Sequence, residues 1–499
     1  MTTTTIGQPV REVEEKQFWG HPRGLSTLFF TELWERFSYY GMRALLVLFM
    51  TAAVVDGGMA LNTVRATAIY GLYTAAVYLL ALPGGWVADR LLGQRRAVFT
   101  GGVVIASGHF SMAIPTTVSF YLGLILIVIG TGLLKPNVSA IVGELYGPAE
   151  GERRDAGFSI FYMGINIGAL VGPLVCGYLG ERVNWHLGFS AAGIGMVLGL
   201  IQYKLGGRYL GSAGELRSEV QAKRAEAGRT FLLGVLGVIG LTLAVYFLGR
   251  SGILRLSVEG VADATGYVIV ALAILYFMYV LMLGQLEPAE KKRVIVIFFL
   301  FVGAALFWSG FEQAGSSMNL FARDMTDRSV LGWEMPTSFL QSVNPTFIIL
   351  LAPVFGALWV TLGSRAPSLP LKFGLGLALL GVGFLVIAWG ASFAEDGTMV
   401  SPMWLIVTYF LHTCGELCLS PVGLSSVTKL SPKKLVGQMM GIWFMGAALG
   451  NLIAGRLAGR FETMAPSQLF FWVAVISGAA GVLFFLFSRP VKRLMGGVY

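Results

Sequence analysis

Charge is scarce in this 499-residue chain: Asp, Glu, Lys and Arg together make up 13% of it. A soluble globular protein carries about 25%, so a water-soluble enzyme of this length is all but excluded. Cysteine is scarcer still. Cys176, Cys414 and Cys418 all fall in apolar stretches and suggest no disulfide framework. Of the four histidines, His412 shares a segment with Cys414 and Cys418. Position 412 lies off the helix face that 414 and 418 share, so small buried packing residues are a better reading than a metal site. His21 and His186 read as loop or interface residues, and His109 as a helix-packing residue. No P-loop and no G-x-S-x-G occurs, which leaves ATP-driven transport without support. Gly193-x-Gly195 and Gly374-x-Gly376 follow no strand and are not dinucleotide loops. The first 24 residues hold Glu12, Glu14 and Glu15 and no apolar core of signal-peptide type. The first spanning helix is therefore expected to act as its own insertion signal.

What the chain has in abundance is apolar length. Hydrophobic residues make up 55%, with mean hydropathy +0.72. Apolar segments run over 26–53, 66–88, 97–114, 118–146, 157–180, 187–206, 230–249, 266–286, 293–322, 338–362, 371–392, 401–428, 435–460 and 467–488. A spanning helix needs about 20 residues, and barrel strands of about 10 are too short for these runs. The fold class is an all-α polytopic membrane protein with fourteen transmembrane helices. Twelve or thirteen stays open, because 250–265 is a weak break. The 66 glycines suit close helix packing in a membrane.

The net charge of +9 reads as basic loops at a membrane rather than as a nucleic-acid surface. With fourteen spans, 25 of the 36 Lys and Arg fall on the side of the chain termini and 8 on the other, counting Arg11, Lys16, Arg217 and Arg255 among them. That excess places both termini in the cytoplasm. The longest polar stretch divides the chain. The plan is a tail 1–25, a six-helix bundle 26–206, a cytoplasmic linker 207–229 with a short surface helix, two inserted helices 230–290, a second six-helix bundle 291–489 and a tail 490–499. Two six-helix halves about a central cavity resemble the major facilitator arrangement.

Seven charged groups fall inside spans: Glu32, Glu35, Arg36, Arg43, Lys135, Glu312 and Glu416. A charge at the bilayer centre costs about 2.5–3.5 kcal/mol on insertion scales, so these groups must pair or face a wet cavity. Glu32, Glu35 and Arg36 lie on one helix face that Tyr39, Tyr40 and Arg43 continue. A static ion-pair network holding helices in register is the plainer reading of any one of them. Two acids and two bases on one stripe exceed what register needs. Lys135 sits beside Pro136 and several glycines, which allow a kink or a broken helix, and Glu32 and Glu35 are its natural partners. Glu312 and Glu416 stand alone in apolar surroundings and could each carry a proton; for Glu416 the plainer reading is a neutral acid with Ser420 one turn on.

Glu32-x-x-Glu35-Arg36-Phe37-x-Tyr39-Tyr40-Gly41 resembles the signature of the proton-dependent oligopeptide transporters, the POT family. Five further blocks are similar to that family: Gly84-Gly85-Trp86-Val87-Ala88-Asp89-Arg90-Leu91-Leu92-Gly93, Leu134-Lys135-Pro136-Asn137, Phe161-Tyr162-Met163-Gly164-Ile165-Asn166-Ile167-Gly168, Ser342-Val343-Asn344-Pro345 and Gly415-Glu416-Leu417-Cys418-Leu419-Ser420-Pro421. They cover nearly the whole chain, and the two inserted helices are typical of bacterial members.

The resemblance implies a major facilitator fold and a secondary active symporter, not an enzyme. It would bring di- and tripeptides into the cell with protons by alternating access, in the plasma or inner membrane, with no cofactor beyond the coupling proton. It assigns proton coupling to Glu32, Glu35, Arg36, Lys135 and Glu312, with Lys135 as salt-bridge partner of the first-helix acids and Arg43 as a partner of Glu312. Arg43, Lys135 and Tyr40 would face the peptide carboxylate, and Glu416, Asn166 and Asn344 its amino group. Tyr78, Tyr162, Trp308, Ser420 and Trp443 would line side-chain pockets. Animal relatives carry a histidine early in the second helix; Gly71 stands near that place, which favours glutamates as proton sites. Asp89-Arg90 with Arg95 and Arg96 resembles the facilitator loop motif with one extra residue before Gly93, and implies a conformational latch. The alternative on the same fold is a proton-coupled transporter of another small solute, nitrate or a drug-like anion. A membrane enzyme or peptide sensor would need a nucleophile–base set, a metal cluster or a large soluble domain. The expected partners are peptide, protons and the bilayer, with no nucleic acid, and a monomer is expected.

Overall fold

Helices of membrane-crossing length make up almost the whole molecule. The computed structural model describes residues 17–497 apart from 148, 149, 217, 222, 255 and 395. The terminal stretches 1–16 and 498–499, and Arg217 and Arg255 of the loop count, lie outside the described residues. The first six long helices are α1 (Gly24–Thr51), α2 (Thr63–Val87), α3 (Gln94–Met112), α4 (Thr117–Glu144), α5 (Gly151–Tyr178) and α6 (Trp185–Gly206). Two more follow, α7 (Arg224–Arg250) and α8 (Val258–Leu283). The last six are α9 (Pro288–Phe311), α10 (Val343–Leu362), α11 (Leu369–Ser392), α12 (Met403–Leu430), α13 (Val436–Ala458) and α14 (Pro466–Leu486). Among the described residues, 12 helical segments are long and apolar enough to cross a membrane. The remaining two are α1, with four charges in its body, and α3, which opens on Arg95 and Arg96.

Local chemistry sets the helix starts. The side chains of Asn62, Thr116, Asn184 and Ser257 each accept a first-turn backbone N–H, and Glu287 caps reciprocally with Glu290 ahead of Pro288. The Ser257 cap separates α8 from α7 across the weak break of the sequence. Several expected boundaries move. The linker contains a 3₁₀ turn Gly207–Leu210 and a four-residue helix Ser218–Gln221, and α7 then begins at Arg224 rather than 230, because Arg224-Ala225-Glu226-Ala227 are strong helix formers. The second bundle begins at Pro288, and Ser488–Leu494 forms a short helix with Val491 buried where a tail was expected. Of the kink or break that Pro136 allows, no break is formed and α4 runs continuously through it; the Asn137 side chain bonds the Leu133 carbonyl at 2.7 Å beside the gap the proline leaves. A small hairpin, β1 (Ser329–Val330) with β2 (Trp333–Glu334), has no counterpart in the sequence reading.

In the first half α1 packs on α5 and α6, and α4 on α2 and α3; in the second α11 packs on α12 and α14, and α9 on α13. The halves meet along two seams. In the α2–α13 seam the backbones nearly touch. A Cβ added at Gly71 would lie 3.1 Å from the Asn451 carbonyl oxygen, and one at Gly455 would lie 2.5 Å from that of Thr67. Gly71 thus lies tight against backbone, where even a Cβ would need its neighbour to give way. The second seam lies toward the end opposite the chain termini, called here the far end. It joins α1 and α5 to α10 and to the stretch 312–342 that follows α9. Here the ties are polar. Asn319 Nδ2 donates to the Ala44 carbonyl at 3.0 Å and Arg323 Nη1 to Thr51 Oγ1 at 2.6 Å. The Glu181 carboxylate accepts the backbone N–H groups of Thr337 and Ser338 at 2.7 and 2.8 Å. Helix α8 lies across the first seam and packs on both α2 and α13, with Ala262, Ile269, Ala273 and Phe277 inward and Asp263 paired to Arg456 at 2.7 Å. Helix α7 stands apart: from 228 to 250 none of its residues is buried.

Candidate functional site

The seven charges that the sequence places inside spans fall into three groups at mid-depth. On α1, Arg36 Nε lies 2.7 Å from Glu32 Oε1 and 3.0 Å from Glu35 Oε2. All three side chains are buried. One guanidinium therefore serves two carboxylates, and Glu32 Oε2 and Glu35 Oε1 have no hydrogen-bond partner among the described residues. The expected salt bridge from these acids to Lys135 is not formed. Lys135 Nζ instead sits 4.2 Å from the centroid of the Tyr78 ring, a cation–π contact, because Arg36, one turn from Glu32 and next to Glu35 on the same helix, reaches both acids first. Lys135 stays within electrostatic range of Glu35 and Glu32.

Two turns along α1, Arg43 turns toward the second half. Its Nη2 pairs with Glu312 at the end of α9, and its Nε donates to Tyr70 Oη at 2.6 Å. The guanidinium also lies 5.6 Å from the centroid of the Tyr40 ring. Arg43 and Glu312 are 7% and 4% exposed, so this ion pair crosses between the halves in low dielectric. Tyr70 is the member that sequence reasoning missed. The signal was the spacing of Thr67, Tyr70, Thr74 and Tyr78, which puts four polar side chains on one face of an apolar helix.

The third group belongs to the second half alone. Asn344 Nδ2 of α10 donates to Glu416 Oε2 of α12 at 3.3 Å and to Thr413 Oγ1 at 2.9 Å. Asn344, rather than Ser420, is thus the recorded partner of Glu416. Tyr40 lies within electrostatic range of both Glu312 and Glu416, and Tyr162 within range of Glu416 and Tyr40. Tyr162 is 37% exposed and sits in mid-helix, on the side of α5 within range of Glu416 of the second half. Tyr40, Tyr78, Lys135, Asn344, Trp308 and Ser420 are half-buried.

Two expected lining residues are set deeper. Trp443 is 7% exposed, stands edge-on to Phe373 and closes over Gly423, where a Cβ would strike its ring. Asn166 is 4% exposed, and its Nδ2 donates to the Tyr162 carbonyl of its own helix at 2.9 Å. At the loop motif after α2, Arg95 in the first turn of α3, rather than Asp89, makes the tie: its Nε donates to the Ala213 carbonyl at 2.6 Å, and a second nitrogen to that of Gly211. The arrangement presents cations from the first half and carboxylates from the second across one space, beside two first-half acids that share one arginine.

Residues 95–473 match the POT family, and the chain belongs to it. It is 42% identical to the peptide transporter YePEPT of Yersinia enterocolitica, with 96% of each chain covered. It is 37% identical to a di-/tripeptide transporter of Lactococcus lactis, covering 97% of this chain and 98% of that one. A crystal structure of a POT peptide transporter in complex with sulfate superposes with a TM-score of 0.89 at 41% identity, covering 97% of this chain and 98% of the other. The fold is that of these membrane transporters and the protein is not an enzyme.

Proposed function

We propose that this POT-family protein imports di- and tripeptides together with protons by alternating access of its two halves. The observation that carries the reading is the opposed set of charges inside the spans: buried Arg43 and half-buried Lys135 on the first half face buried Glu312 and Glu416 on the second. A zwitterionic peptide placed between them aligns as a dipole, carboxylate toward Arg43, Lys135 and Tyr40, amino group toward Glu416, Asn344 and Asn166. Aromatic walls at Tyr78, Tyr162, Trp308 and Trp443, with Ser420, accept varied side chains without reading them closely.

Proton coupling follows from two imbalances. A proton on Glu312 removes the charge that binds Arg43 across the seam and frees the guanidinium for the peptide carboxylate. In the Glu32–Glu35–Arg36 group one negative charge is in excess, and a proton or Lys135 can balance it, so movement of Lys135 toward peptide and protonation of an acid are coupled. The proton and peptide can drive the cycle only through their different affinities for its two states. The same reading sets the protein in the plasma or inner membrane with both termini cytoplasmic, acting as a monomer with no cofactor but the coupling ion.

The test is uptake of labelled dialanine into proteoliposomes under a pH gradient, with the proton flux counted. Glu312→Gln and Lys135→Ala are each expected to abolish proton-driven uptake. Full uphill accumulation by either variant would overturn its assigned role. Competition by nitrate but not by dipeptides would move the substrate to the other solute class.

A further inference from the structure

The stretch after Glu312 is where the second half interrupts its helix. Glu312–Gly315 tightens into a 3₁₀ turn, Ser316 leaves helical geometry at φ −129° and ψ −97°, and an eight-residue helix, Ser317–Asp324, restarts toward the far end. A helix start is ordinarily capped by the side chain of the residue just before it. Ser316 occupies that position with a suitable hydroxyl and makes no cap. Its Oγ is buried and has no partner among the described residues; the same holds for Oδ1 of Asn319, one turn on, whose amide nitrogen is taken by the Ala44 carbonyl. Ser316 and Asn319 are 0% and 1% exposed. Leaving such groups unmet costs as much as losing a hydrogen bond. A hydroxyl and a carbonyl oxygen at this spacing are a suitable set for an ordered water, which takes about three polar partners.

Both neighbours of this stretch matter. On the inner side, a Cβ at Gly315 would strike Tyr70 Oη, so the break lies against the hydroxyl that accepts from Arg43 beside Glu312. On the outer side, Arg323 lies one turn beyond Asn319. With Asp324, Glu181 and Asp56 it lines a cavity of about 440 Å³ at the far end. Glu312, Ser316, Asn319 and Arg323 follow one another along the chain from the ion pair with Arg43, across the break, to the far-end cavity.

We propose that this line of side chains is the route by which protons reach Glu312 from the far end, with Ser316 and Asn319 holding the water that relays them. A proton from water in the far-end cavity passes to the held water, and the proton that water releases ends on the Glu312 carboxylate. Glu312 becomes a neutral acid, and Arg43 keeps its charge and its bond to Tyr70. The charged and titratable groups facing Glu312 are Arg43, Tyr39 and Tyr40 from α1, Tyr70 and Tyr78 from α2 and, at longer range, Lys135 from α4 and Glu416 from α12. The inference rests on the proposed symport.

Ser316→Ala tests it, because it removes the hydroxyl and breaks no recorded side-chain hydrogen bond. In proteoliposomes, pH-gradient-driven dialanine uptake should fall at least about tenfold. Exchange of labelled for internal dialanine at equal pH, which needs no net proton movement, should stay within about twofold of wild type. Ser316→Thr, which keeps the hydroxyl, should restore driven uptake. Wild-type driven uptake in Ser316→Ala, or an equal loss in both assays that Ser316→Thr does not repair, would overturn the route and leave the symport reading intact. Wild-type protein that moves no dipeptide in either assay would overturn the symport reading itself.

Discussion

The two seams between the halves differ in chemistry, although Glu462, just past α13, also accepts the Thr63 N–H at the start of α2. Along α2–α13, glycines bring backbone against backbone, and α8 lies over the joint and touches both sides. Along the far-end seam, α1 and α5 are tied to the second half by hydrogen bonds and an ion pair. Close apolar packing has no alternative partner to exchange with, so it suits a pivot that persists through a cycle. Polar ties can be traded for water, a proton or a peptide, so they suit a gate. A rocking motion needs both, and the molecule separates them in space.

The contrast can be broken first at the gate. Glu312→Leu strands Arg43 without its partner in a buried site and should cost about 3–5 kcal/mol. Adding Arg43→Met should restore most of the thermal stability without restoring transport, because an apolar pair of similar volume replaces an ion pair with little net loss. Calorimetry of the single and double variants checks this. At the pivot, Gly455→Leu drives a side chain into the Thr67 carbonyl and should cost about 3 kcal/mol. Here no second substitution on the far-end seam should compensate, and a lowered melting temperature with loss of exchange is the readout.

Glu181→Gln is a gentler probe. A carboxylate that accepts two N–H groups becomes an amide with one oxygen, at a cost of about 1–2 kcal/mol. The loss should open the far end. Spin labels at Val55 and Leu331, both exposed and on opposite halves, should move apart in distance measurements; an unchanged distance distribution would remove Glu181 from the gate. The smallest effect is expected at the strap over the pivot. The Asp263–Arg456 pair is partly solvated, with 41% and 34% of the side chains exposed, so Asp263→Ala should cost below about 1 kcal/mol. A larger loss of stability would mean that α8 holds the pivot by charge rather than by its apolar face.

Much of this was legible from residue types alone. Long apolar runs announce spanning helices because lipid permits little else, and charges inside them mark the site because they are costly there. The partners of those charges were less legible. That Arg36 reaches both Glu32 and Glu35 while Lys135 rests on Tyr78 depends on which side chain arrives first, and sequence spacing alone left both pairings open. Tyr70 looked like one more aromatic in an apolar helix until Arg43 was placed beside it. Gly71 and Gly455 are 384 positions apart and became meaningful only as a pair. The break after Glu312 carries no proline, whereas α4 contains Pro136 and stays continuous, so the usual helix-breaking signal pointed to the wrong segment.

Helix α7 gives the molecule a ruler. Its apolar stretch, 230–249, lies between Arg229 and Arg250 and is about 30 Å long at 1.5 Å per residue. That is the thickness of the hydrocarbon layer, about 30 Å. With almost no neighbours to impose a tilt, α7 takes its angle from the bilayer alone, and its two arginines mark where water begins on either side. In a thinner membrane α7 should lean while the packed bundle stays upright. Its tilt relative to α2, followed through bilayers of graded thickness, would read out how the rest of the protein is seated.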